Sequence, residues 1–85
     1  MNTKSDSIVR LARLIIAIAA ADIGNGAPDG HVYAAMMGTE TLDSYMRLVH
    51  AAEEIGTLTR APGRPLLVLT AKGKDLLERF KAALA

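Results

Sequence analysis

The sequence predicts a mainly α domain with a small β-hairpin: three helices, a two-stranded hairpin and a C-terminal helix. Three observations carry this reading. Apolar residues recur at helical spacing in four blocks, Gly- and Pro-containing breaks separate the blocks, and the stretch 57–69 runs short and apolar around a double-proline turn. The 85 residues fit one domain, 1–85. With no Trp, one Phe and two Tyr, its core has to be aliphatic.

The first helix is expected over 5–23, capped by Ser5 or Asp6. From Leu14 onward it is apolar nearly all round, and such a helix is buried on more than one side. In so short a chain a homodimer is the economical way to cover it. Leu11, Ile15 and Ile16, joined by Leu77, Phe80 and Leu84 of the last helix, are the expected dimer contacts. Lys4, Arg10 and Arg13 ahead of the run Leu14–Ala21 give it a superficial likeness to a secretory leader. The basic residues are interleaved with apolar ones at helical spacing, which favours a folded helix. The run falls well short of the ~20 apolar residues of a membrane span, so no membrane partner is expected.

Gly24 to Gly30 reads as a break. A short helix, His31 to Met37, follows and ends at Gly38. Thr39 or Thr41 caps a third helix, taken as 40–55, with Leu42, Tyr45, Met46, Val49, Ala52 and Ile55 as its buried stripe and Gly56 as its stop. Thr57 to Arg60 and Leu66 to Leu69 flank the turn 61–65 as hairpin strands. Thr70 caps the last helix, 71–84, whose buried stripe is Leu76, Leu77, Phe80 and Leu84.

Net charge is +1, but its distribution is uneven. Residues 1–37 are balanced. Residues 38–56 set Arg47 against Glu40, Asp43, Glu53 and Glu54. Residues 57–85 set Arg60, Arg64, Lys72, Lys74, Arg79 and Lys81 against Asp75 and Glu78. A locally basic third in a near-neutral chain is the form a phosphate-facing surface takes. The absence of Cys excludes disulfides, thiolate metal sites and a cysteine nucleophile, and fits a reducing, cytoplasmic setting. His31 and His50 are too few and too far apart for a zinc site. No phosphate-binding glycine loop, carboxylate pair or nucleophile motif appears, so neither enzyme chemistry nor a cofactor is expected.

The order of elements is that of a winged helix-turn-helix, with 30–55 as the helix-turn-helix and 57–69 as the wing. Two stretches strengthen the likeness. Ala52-Glu53-Glu54-Ile55-Gly56-Thr57-Leu58-Thr59-Arg60 resembles the ending of reader helices in bacterial winged-helix regulators. Leu67-Val68-Leu69-Thr70-Ala71-Lys72-Gly73 resembles the wing-to-helix junction frequent in the MarR and PadR families. The resemblance covers about residues 30–80. It departs from MarR proteins in lacking their Asp-Arg wing signature, and Ala52 stands where Leu is usual. It implies a homodimeric transcription regulator bound to double-stranded DNA, with the reader helix in the major groove and the wing on the backbone or minor groove. Thr41, Asp43, Ser44 and Arg47 then occupy reader positions, and Arg60 and Arg64 occupy positions on the basic wing, 60–65.

Each candidate has a plainer reading beside it. Arg47 suits bidentate guanine contact or a surface pair with Asp43. Glu40 and Asp43 suit cytosine amino groups or, more simply, the positive end of a helix dipole. Pro62-Gly63-Arg64-Pro65 is similar to the core of an AT-hook and equally to a rigid turn. Lys72 and Lys74 oppose the dipole of the last helix, which suggests phosphate contact or simply a solvated face. Met36, Met37 and Met46 with Tyr33 and Tyr45 read as core filler before an effector pocket. The alternative functions are a winged-helix module that binds protein, or an accessory component of a plasmid or phage complex.

Overall fold

The computed structural model describes residues 3–84, with the side chains of 3–6 and 84 outside the description. The chain runs α1 (Thr3–Ala21), β1 (Ala27–Pro28), α2 (Asp29–Met36), α3 (Leu42–Glu54), β2 (Leu58–Arg60), β3 (Leu66–Leu69) and α4 (Ala71–Leu84). The expected elements are present, with shifted ends and one addition. Helix α1 starts before Ser5 and Asp6, which lie inside it rather than capping it. It ends at Ala21 because the Asp22 carboxylate folds back to accept the N–H groups of Gly24 and Gly26.

The addition is β1, inside the stretch read as a plain break. It pairs antiparallel with β3, Ala27 opposite Leu67 and Pro28 opposite Leu66, so β3 lies between β1 and β2. The Asp29 N–H extends this contact by donating to the Pro65 carbonyl. A two-residue strand containing proline has no periodicity to read; its partner, 39 residues onward, creates it. Gly26 runs tight against β3, where a β-carbon would meet Leu66 and Val68 at 3.1 Å.

Helix α1 lies at the centre, packed against α2, α3, α4, β1 and β3. Leu14, Ile15 and Ile18 are fully covered, each burial contributing about 1.5–3 kcal/mol. Much of the apolar surface of α1 is thus covered within one chain, while Ile16 and Ala19 stay half-buried and Ala20 exposed. Ile15 has no surface left to offer a second copy. Leu77 is 9% exposed and sits among the buried residues, Leu11 packs on the core, and Ile16 and Phe80 are half-buried. The side chain of Leu84 lies outside the described residues.

Helix α3 buries a narrower stripe than expected. Tyr45, Val49 and Ala52 face the core, whereas Leu42, Met46 and Ile55 are about half exposed, at 54%, 58% and 49%. Among the described elements α1, α2 and β2 pack closely against α3, and they cover only the stripe of Tyr45, Val49 and Ala52. The Tyr45 hydroxyl reaches across to donate to Asp29, and burial together with that bond holds its phenol protonated well above the ordinary range. Met37 is exposed like Met46, while Met36 is buried, so the methionines and tyrosines do not line one pocket. Tyr33 and Tyr45 do meet, their rings 5.1 Å apart.

The hairpin and α4 are locked to the end of α3. The Thr57 N–H and hydroxyl both donate to the Ala52 carbonyl, and the Thr70 N–H donates to the Thr57 carbonyl. The Thr70 hydroxyl donates to Gly56 O and accepts from Gly73 N–H, capping α4. Gly73 is required here because an added β-carbon would overlap the Thr57 carbonyl oxygen. Gly73→Ala is expected to destabilise the protein by about 3 kcal/mol, read as a lowered urea midpoint with unchanged slope. An unchanged midpoint would show that this junction is not held as tightly as its backbone spacing implies.

Candidate nucleic-acid interface

The expected reader positions lie at the start and along the outer face of α3, and each is engaged within the chain. Thr41 is the N-cap, its hydroxyl accepting the Ser44 N–H at 3.1 Å. Ser44 is half-buried and its hydroxyl donates to Glu40 Oε1 at 3.0 Å. Asp43 pairs with Arg47 at 3.0 Å, one turn on, and Glu54 pairs with His50 at 2.8 Å. These four side chains form the solvent face of α3, opposite Tyr45, Val49 and Ala52. Asp43 and Arg47 neutralise each other, and Glu54 is hydrogen-bonded to His50. The Asp43–Arg47 pair is exposed on both sides, so parting it costs at most about 1 kcal/mol.

Glu40 serves neither of its expected roles. It is not in the first turn of α3, which begins at Leu42, and it is 8% exposed. Its carboxylate is held by Arg10 of α1, with Nε 3.1 and 3.2 Å from the two oxygens and Nη2 2.5 Å from Oε1. The Arg10 hydrogen bonds, helped by Ser44, hold the Glu40 carboxyl below its ordinary range against the opposing effect of burial. Arg10 is the residue the sequence concealed. It lies 30 positions from its partner, and no local spacing signals a pair made across two helices.

The basic third divides into engaged and uncompensated cations. Arg60 lies 3.6 Å from Glu53, and Arg79 pairs with Asp75 at 3.1 Å. Lys72 donates to the Ile55 carbonyl at 2.8 Å. The expected conflict with the α4 dipole is therefore offset at the other helix, because Lys72 caps the negative C-terminal end of α3. Arg64 sits exposed in the hairpin turn, its N–H donating to the Ala61 carbonyl and Gly63 beside it at φ +69°. Arg64, Lys74 and Lys81 form no ion pair among the described residues, and neither does Arg13 of α1.

The fold therefore brings together the end of α3, the base of β2 and the first turn of α4, with Arg60 and Lys72 at that junction. Arg64 stands apart in the hairpin turn. No group of three or more His, Asp or Glu among the described residues could hold a metal ion, and no helix among them is long and apolar enough to cross a membrane. Comparison with protein-family models, curated proteins and solved structures finds no match to this chain.

The Arg10–Glu40 bridge gives a pH signature. A carboxyl whose folded pKa is depressed stabilises the fold above its unfolded pKa, and that stability is lost as pH falls through the folded value. Glu40→Gln is expected to cost about 1–3 kcal/mol at pH 7. The gap from the unaltered protein should narrow as pH drops below the ordinary glutamate value near ~4.3. Urea denaturation from pH 7 to 3 checks this; a gap independent of pH would rule out the ionised bridge as its source.

Proposed function

We propose that this chain is a winged helix-turn-helix domain that binds double-stranded DNA, with α3 presented to the major groove and the wing and α4 supplying most of the affinity. The observation that carries the proposal is the placement of uncompensated cations. The outer face of α3 carries the Asp43–Arg47 and His50–Glu54 contacts, whereas Arg64 on the hairpin and Lys74 and Lys81 on α4 form no ion pair among the described residues. Phosphate contacts by such residues release counterions and give affinity without sequence preference. Arg47, held only by an exposed pair, can exchange Asp43 for a base edge at small cost. Transcription regulation and homodimerisation enter through the resemblance to bacterial regulators, since Leu14, Ile15 and Ile18 of α1 are already covered within one chain. A dimer would use other surfaces than Ile15.

A second reading is favoured by a different observation. Leu42 and Met46 lie one turn apart on α3 and are both exposed, which suits a protein-interaction module better than a phosphate-facing helix.

Fluorescence anisotropy on mixed-sequence duplexes at low and moderate salt separates the two. The DNA reading expects salt-dependent binding, with Arg64→Ala weakening it on every duplex and reducing the salt slope by about 1. No salt-dependent binding at micromolar protein would overturn it. Full affinity in Arg64→Ala would remove the wing from the mechanism.

A further inference from the structure

We propose that Arg10 and Glu40 act as positioning residues, setting the angle at which α3 is presented to its ligand; this rests on α3 being the presented helix. Three observations point there. First, the bridge spans the elements whose relation matters: Arg10 lies midway along α1, and Glu40 lies in the turn immediately before Thr41, the α3 cap. Ser44 in the first turn of α3 donates to the same Glu40 oxygen, so α1, the turn and α3 converge on one carboxylate.

Second, the apolar contacts leave slack. Between α1 and α3 runs an open groove of about 460 Å³, floored by Leu11, Leu48, Ala52 and Ile55. Close packing fixes a helix angle without help, and along this solvent-open groove that packing is missing. Arg10 and Ser44 line this same groove, so the bridge sits where the apolar packing is incomplete.

Third, the bridge is directional where the packing is not. An arginine held through Nε and Nη2 on a carboxylate accepts one planar geometry, whereas aliphatic contacts tolerate sliding. The Glu40 carboxylate is buried while Arg10 is 37% exposed; where a charge is desolvated, replacing the pair by apolar residues often preserves or raises stability, so stability alone does not explain it. Fixing an orientation does.

The experiment separates positioning from stability. Arg10→Met with Glu40→Leu removes both charges and leaves no orphan. The double variant is expected to melt at or near the temperature of the unaltered protein. Its α3 amides, 42–54, should show shifted and exchange-broadened NMR signals while those of α4 stay unchanged. Its affinity for duplex DNA should fall at least tenfold with an unaltered salt slope, because no phosphate contact is lost. A merely structural bridge would restore affinity along with stability. Unperturbed α3 amides together with full affinity would overturn the proposal. If the double variant does not fold, Glu40→Gln gives the same α3 readout. If the unaltered protein binds no DNA, the proposed function fails by itself, and the α3 amides still decide whether the bridge sets the helix.

Discussion

The fold depends on one close approach, the first turn of α4 against the carbonyl of Thr57. That carbonyl receives the Thr70 N–H, and Gly73 permits the contact by lacking a β-carbon. The hairpin therefore leaves and returns to the same point at the end of α3. Its return strand β3 is delivered to the middle of the sheet, where β1 can pair with its free edge. Lys72 and the Thr70 hydroxyl satisfy carbonyls that the end of α3 leaves open, at Ile55 and Gly56. The start of α4 thus satisfies the end of α3, and β2 and β3 are held between them.

With the sheet and α4 so placed, α1 becomes the element that everything else covers. A helix apolar on nearly all sides is usual in the middle of a larger protein and unusual in 85 residues. Here two helices, α2 and α3, pack on it together with α4, β1 and β3. Coverage is complete at Leu14, Ile15 and Ile18 and incomplete beside Leu11, where the α1–α3 groove opens. The one ion pair of the described residues with a buried carboxylate, Arg10–Glu40, stands at that incomplete place.

Charge follows the same division between local and long-range contact. Pairs one helical turn apart, Asp43 with Arg47 and Asp75 with Arg79, neutralise helix faces and depend on spacing, and His50 meets Glu54 by the same spacing. Spacing alone does not pair every cation: Lys74 and Lys81 each lie one turn from Glu78 without closing an ion pair among the described residues, and Arg64 lies in a turn with no helical neighbour. The protein's small net charge thus conceals a segregated surface, with a paired α3 beside a basic hairpin turn and α4.

Much of this was determined by the sequence alone. The four helices, the hairpin 57–69, the Thr70 cap, the Gly56 stop and the basic C-terminal third all follow from local periodicity, turn chemistry and spacing, which act over a few residues. Tertiary structure decided what local rules do not reach. It made Ala27–Pro28 a strand because β3 was there to pair with it, and it left Leu42, Met46 and Ile55 exposed because too little chain packs on α3. It turned Lys72 from a misplaced helix charge into the cap of a different helix, and Glu40 from a surface acid into the buried partner of Arg10. The fold class lay in the periodicity of the residues, whereas the environment of each candidate site residue was set by which distant elements came to lie beside it.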